Sequence, residues 1–281
     1  MTVPFENDTG NIVRKLARKS LKSEKRRNLM VVIAVALASC LICFSIVMAL
    51  STRQIEKNHV EDTYEAVYTR ITEEDVSTLK GLDDFSRVGE YYMLAVEPAE
   101  QGYNASYIYC DEETMYIARD QMKLLEGRLP QKEDEVVVSR YFLSNYAADA
   151  GIGEKVMLSS ESFHGEYTVT GIMEGYKEKE VNGSSILLSK EALKGWSGYD
   201  PADYRAYVHF KNEQQMDETE LTARSREIAK EYQLEMPIMN LSYMKFYKQP
   251  VNVSMLALVA GIAVLVIIGG YVAVSYTHLR A

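Results

Sequence analysis

Cysteine is nearly absent: three serve 281 residues, and only Cys110 falls in the long charged stretch that fills the middle of the chain. A disulfide framework within that stretch is thereby excluded. Cys40 and Cys43 have the C-x-x-C spacing but lie in an uncharged apolar run, where a thiolate is disfavoured and small side chains pack well, so they read as packing residues. Histidine is equally sparse. His59, His164, His209 and His278 stand singly, without H-E-x-x-H or a paired Cys/His spacing, and offer no zinc or nucleophilic site. There is no G-x-x-x-x-G-K-[ST] run, and Gly151-Ile152-Gly153 lacks the third glycine of a dinucleotide fingerprint, so neither phosphate-binding loop is present. The acidic groups Asp111-Glu112-Glu113 and Glu133-Asp134-Glu135 adjoin expected turns and read as solvated faces. The expectation is a chain with no catalytic residue, no cofactor and no metal, and not an enzyme.

What the chain does have is two uncharged apolar runs, 29–50 and 253–274, around a strongly charged middle. Each has 22 residues. As a helix at about 1.5 Å per residue each is about 33 Å long, enough to cross a hydrocarbon core of about 30 Å with some tilt. Residues 1–28 hold eight basic and three acidic residues, with Lys25, Arg26 and Arg27 against the first run. By the positive-inside rule this leader stays cytoplasmic, which places residues 51–252 outside and 275–281 back in the cytoplasm. From Ser51 to Pro250, 22 Lys and Arg stand against 37 Asp and Glu, a net of −15. The basic block is a topological signal and not a nucleic-acid site, and no nucleic-acid partner is expected. Ala49-Leu50-Ser51 loosely resembles a signal-peptide cleavage site, but the apolar core is longer than the roughly 7–15 residues such a peptide uses.

The leader itself alternates apolar Ile12, Val13, Leu16, Ala17 and Leu21 with Arg14, Lys15, Arg18, Lys19 and Lys22, the pattern of an amphipathic helix on anionic lipid. Beyond Leu50 no Gly or Pro interrupts the chain for a long stretch, so the first span is expected to continue outward as a helical stalk. In the domain, strands are predicted at 65–71, 85–96, 103–109, 135–139, 155–159, 166–172, 185–189 and 204–210. Helices are predicted at 73–80, 118–125, 140–148 and 218–232, the first capped by Thr72 and the last by Asp217 with Glu220 in a capping box. Strands mixed with helices imply an α+β extracytoplasmic domain in two lobes between two transmembrane helices. Twenty tyrosines against a single tryptophan suit half-buried strands, or else a surface for peptide or lipid, with strand packing preferred. N-x-[ST] occurs at Asn104, Asn182, Asn240 and Asn252, and matters only in a glycosylating cell.

The densest local signals run from 124 to 173. Gly127 can end a helix in the left-handed conformation, Pro130 stops it, and Glu135-Val136-Val137-Val138-Ser139 enters a buried strand. Gly151 and Gly153 permit a tight turn, and Gly171 permits a bulge or close backbone approach within Tyr167-Thr168-Val169-Thr170-Gly171-Ile172. The run Glu126-Gly127-Arg128-Leu129-Pro130, that strand, the Gly153-Glu154-Lys155-Val156 turn and the strand through Gly171 together resemble the extracytoplasmic domain of MacB-type and FtsX-like ABC transporter permeases. The resemblance covers about residues 11–274 and makes Gly127, Arg128, Pro130, Gly153 and Gly171 structural motif residues.

What the resemblance implies is a permease subunit coupled to a separate cytoplasmic ABC ATPase, for efflux or for transmitting force to the outer domain. Such permeases have at least four spans and a cytoplasmic coupling helix after the second, whereas Ala281 comes seven residues after Val274. Ser275-Tyr276-Thr277-His278-Leu279-Arg280-Ala281 reads as a truncated or foreign tail. Gly261, Gly269 and Gly270 let helices approach closely, so partner helices are expected, from a homodimer or a second permease half. The competing function is a two-span membrane receptor or sensor with an extracellular ligand-binding domain.

Overall fold

The structure, a computed structural model, describes residues 9–23, 25–61, 63–119, 121–175 and 178–248, together with 261–263, 266 and 269. It divides into two units, Glu56–Pro250 and the remainder, which comprises Met1–Ile55 and Val251–Ala281. The expected second span, 253–274, lies outside the described residues but for five helical positions, and the tail 275–281 lies wholly outside them.

In the first unit the basic leader forms α1 (Thr9–Ser23), on which Ile12, Val13 and Leu16 are exposed. Lys25, Arg26 and Arg27 make the first turn of α2 (Lys25–Val60), an unbroken helix of 36 residues. The absence of Gly and Pro explains its length, since nothing in it interrupts the backbone ladder. Leu29, Val32, Leu37, Leu41, Phe44 and Val47 are all more than half exposed, the condition of a helix whose apolar surface is met by something other than its own fold. By length and composition α2 is the one described helix able to cross a membrane. The candidate stretch is Ser39–Asn58, whereas the uncharged run begins at Leu29; the absence of charge is the stronger guide to the hydrocarbon. Cys40 and Cys43 are free thiols on this helix.

The second unit is built on a mixed ten-stranded sheet. Its elements are β1 (Ala66–Ile71), α3 (Glu73–Lys80), β2 (Phe85–Pro98), β3 (Asn104–Cys110), α4 (Glu112–Ile117), β4 (Met122–Gly127), β5 (Glu135–Ser139) and α5 (Arg140–Tyr146). There follow β6 (Lys155–Ser159), β7 (His164–Gly175), α6 (Glu178–Val181), β8 (Gly183–Leu188), α7 (Lys190–Gly195), β9 (Tyr204–Phe210), α8 (Glu218–Glu231), β10 (Ile238–Met239) and α9 (Leu241–Tyr243), which runs into a π-turn at Met244–Lys248. The spatial order is β10-β1-β9-β2-β3-β8-β5-β7-β4, with β6 also on β7. The α+β expectation is what the structure has. The expected two lobes are not separate: Glu56–Pro250 is one compact unit on one sheet, whose halves join where β3 and β8 run parallel from Asn104 and Gly183 to Ile108 and Leu187.

Alternation along the strands accounts for the core. Successive side chains point to opposite faces, so Tyr92, Val136, Val138 and Leu188 enter one core while Tyr91, Val137 and Leu187 enter another. The first face is covered by α3, α5, α7 and α8 through Val76, Leu79, Phe142, Leu193, Leu221 and Ile228; the second by α4 through Met115 and Ile117. Both faces are covered at the middle of the sheet, which is why β5 is buried along its whole length and reads as an apolar run. Tyr68, Tyr92, Tyr103, Tyr107 and Tyr204 are among the largest fully buried side chains, as strand packing requires. Cys110 is buried, and burial pushes its thiol up, so it is inert.

The capping expectations match: Thr72 with Asp75 and Asp217 with Glu220 both form complete capping boxes. One predicted helix is not found. The predicted helix at 118–125 is instead the tail of a turn and β4, because antiparallel pairing of Met122, Lys123 and Leu124 with Gly175, Glu174 and Met173 overrides the helix-forming composition. The acidic group Asp111-Glu112-Glu113 is likewise more than a solvated face. Asp111 caps α4 by accepting from Thr114 N–H, accepts from Glu90 N–H, and pairs with Lys80 at 2.9 Å.

Candidate functional site: a glycine knot and an entry–exit junction

Among the described residues β7 is the one strand with three neighbours, and the motif residues gather where it changes partner. Its first half pairs β6 and its second half β4, while β5 runs along the other edge, with β7 bulged at Thr170 between Val136 and Val137. At this crossing Gly127 has φ +83°, and a Cβ on it would run into the Thr170 carbonyl oxygen and come within 2.7 Å of Gly171 Cα. A Cβ on Gly171 would lie 2.8 Å from the Arg128 oxygen and 2.9 Å from that of Glu126. Each glycine thus makes room for the other strand's backbone. Arg128 N–H donates to Thr170 O at 2.9 Å, and Gly153 N–H to Val169 O at 2.8 Å. Gly153 has φ +89°, with open space where a side chain would be.

Arg128 and Pro130 belong to the same knot. The Arg128 guanidinium makes two parallel hydrogen bonds to the Glu135 carboxylate, at 2.7 and 2.8 Å. Glu135 also accepts from Gln131 N–H at 2.8 Å, closing the turn through Pro130. Arg128 and then that backbone donor stabilise the charged carboxylate, holding Glu135 down to about 2. Here the solvated-face reading of Glu133-Asp134-Glu135 needs correction, because Glu135 is buried and bonded. The structure therefore brings Gly127, Arg128, Gly153 and Gly171 together around β7, with Pro130 in the turn that Glu135 closes. Lys25, Arg26 and Arg27 belong to the other unit.

A second constellation lies where the chain enters and leaves the sheet. Glu65, just before β1, is fully buried, and its carboxylate accepts from Phe210 N–H and bonds His209 Nδ1, each at 2.7 Å. Burial disfavours charge on both groups. It raises the Glu65 carboxyl against the pull of His209; in His209 it is outweighed by the hydrogen bond and charge of Glu65, by Glu213 and by the Thr63 backbone, so the imidazole is raised. Beside this pair Tyr64 N–H donates to Ile117 O at 3.0 Å, Gln121 bonds the Tyr64 hydroxyl, and Arg119 donates to Glu61 O, tying α4 and its turn to the end of α2. An open groove of about 660 Å³ follows, lined by Asn58, Met115, Tyr116, Arg119, Leu124 and Leu129 among others.

None of these arrangements carries a nucleophile or, among the described residues, a metal cluster, and the one acid–base pair, Glu65 with His209, is buried against the Phe210 backbone. They hold backbone segments together. The sequence reading missed Glu65, His209 and Glu135; only the lone-histidine and acidic-group observations touched them.

Residues 29–226 match the family model described as the MacB-like periplasmic core domain, and the chain belongs to that family. It is accordingly an ABC-transporter permease chain of the MacB and FtsX-like kind, a transporter component. No match is found among curated proteins. Among solved structures, the extracellular domain of the ABC-type transporter YknZ from Gram-positive bacteria is similar at 15% identity with a TM-score of 0.45, covering 63% of this chain and 100% of that one. The periplasmic region of MacB from Actinobacillus actinomycetemcomitans is similar at 11% identity with a TM-score of 0.45, covering 66% of this chain and 92% of that one.

Proposed function

We propose that the protein is the permease subunit of an ABC transporter, multi-pass in the cell membrane, with its leader cytoplasmic and residues 51–252 outside. A separate cytoplasmic ATPase binds and hydrolyses ATP, and the permease passes the resulting movement to the outer domain for efflux or mechanical signalling. The observation that carries this reading is the family membership joined to α2. A single helix leaves the basic leader, passes through the uncharged run and ends at Val60, which is already buried in the domain. An unbroken helix is stiff enough to transmit displacement along its axis, which a glycine-rich linker is not. The working unit has a second permease half, either another copy or a partner chain, since one set of spans does not enclose a path.

The test is co-expression of the full-length gene product with the ATPase encoded beside it. Co-purification, and ATP hydrolysis that changes when the permease is added, is the expected result. Failure of the two to associate in lipid, or a gene that continues into a signalling module with no ATPase partner, would overturn the reading in favour of a receptor.

A further inference from the structure

Between entry and exit of the domain one side chain touches both. Asn240 is 7% exposed, and its Nδ2 donates to Tyr64 O at 2.9 Å while its own N–H donates to Glu65 O at 2.8 Å. On its other side Oδ1 accepts from Ser242 and Tyr243 N–H at 3.1 and 3.2 Å, capping α9, and Met244 N–H returns to Asn240 O at 3.0 Å. Neighbouring contacts run the same way. Glu65 bonds His209 and Phe210 at the end of β9, and Lys248 in the π-turn bonds the Glu213 carbonyl just beyond it.

A cap alone does not explain asparagine here. Oδ1 is all that a helix start needs, and Asp or Ser would supply it. What the amide adds is a donor aimed at the entering chain, 176 residues away in sequence. A carboxylate in its place keeps the cap and has no donor, and a serine hydroxyl, one bond shorter, keeps the cap but falls short of the Tyr64 oxygen.

We propose that Asn240 is a clasp joining the entry segment 63–65 to the exit segment 240–244, so that the two open and move as one unit. A displacement arriving through α2 is then shared with the chain leaving the domain before it reaches the rest of the sheet. This deepens the permease reading, yet it stands or falls on this chain alone, whereas that reading fails on ATPase association.

The experiment is hydrogen exchange on the full chain in lipid nanodiscs, without an ATPase, comparing wild type with Asn240→Asp and Asn240→Ser. In wild type the amides of Tyr64 and Glu65 and those of Ser242, Tyr243 and Met244 are expected to share one opening rate. In both variants the exit amides stay protected by the retained cap, the entry amides exchange on the order of ten-fold faster, and the two rates separate. Val137, in the far half of the sheet, reports intact folding. Unequal rates in wild type, or variants in which entry and exit still exchange together, would overturn the clasp. Should either variant lose protection at Val137, the wild-type rates decide the matter by themselves.

Discussion

The knot around β7 and the entry–exit junction both fasten distant segments, but with opposite materials. At the knot, backbone meets backbone, and the residues that matter are those that are missing a side chain: Gly127 and Gly171. At the junction, Glu65, His209 and Asn240 reach across with polar side chains in a buried setting. A backbone crossing has one arrangement and resists movement, while a hydrogen-bonded junction can exchange partners at a cost of about 1 kcal/mol per bond. On the proposed reading the knot is a fixed part of the domain, and the junction is where movement is passed on.

The largest effect expected from breaking the knot is at Gly127. Gly127→Ala places a Cβ against the Thr170 carbonyl at a left-handed φ, and a loss of more than about 3 kcal/mol, or failure to fold, should appear in denaturant unfolding. Gly171→Ala meets two carbonyl oxygens without the φ penalty, and a loss of about 2 kcal/mol is expected in the same measurement.

Next comes the ion pair of the knot. Glu135 is depressed in the folded chain, so its contribution is fully present above the usual carboxylate value of 4.5 and is lost as pH falls toward about 2. Arg128→Gln should flatten the acid dependence of stability within that window and leave it unchanged near neutrality in shape. A steep acid step that survives the substitution would assign it to other carboxylates. The smallest effect is Gly153→Ala, which has space for the methyl group but a left-handed φ, and about 1 kcal/mol is expected. A Gly153 substitution as damaging as Gly127→Ala would show that φ, and not close approach, governs the knot.

How much of this was legible in the sequence follows the same division. The knot announces itself, because glycines in a strand context carry a backbone meaning that a reader can state in advance, and the strands at 135–139, 155–159 and 204–210 are found at their predicted bounds. Even there Gly127 was expected to end a helix and ends a strand instead, since pairing with β7 decides the conformation of 122–127. Ser189 could have revealed α7, for it stands three residues before Ala192, whose N–H it accepts. The junction had no local signal. Glu65 looked like the first residue of a strand, His209 like a solitary histidine, and Asn240 like a glycosylation triplet; 144 and 176 residues separate the partners.

The most direct measurement is hydrogen exchange on the full-length permease with its ATPase in nanodiscs, compared with and without bound ATP. Exchange at 63–65 and 240–244 is expected to change together on nucleotide binding, while the amides of Arg128, Gly153 and Val169 in the knot stay as they are. Nucleotide-dependent change in the knot with none at the junction would contradict that expectation.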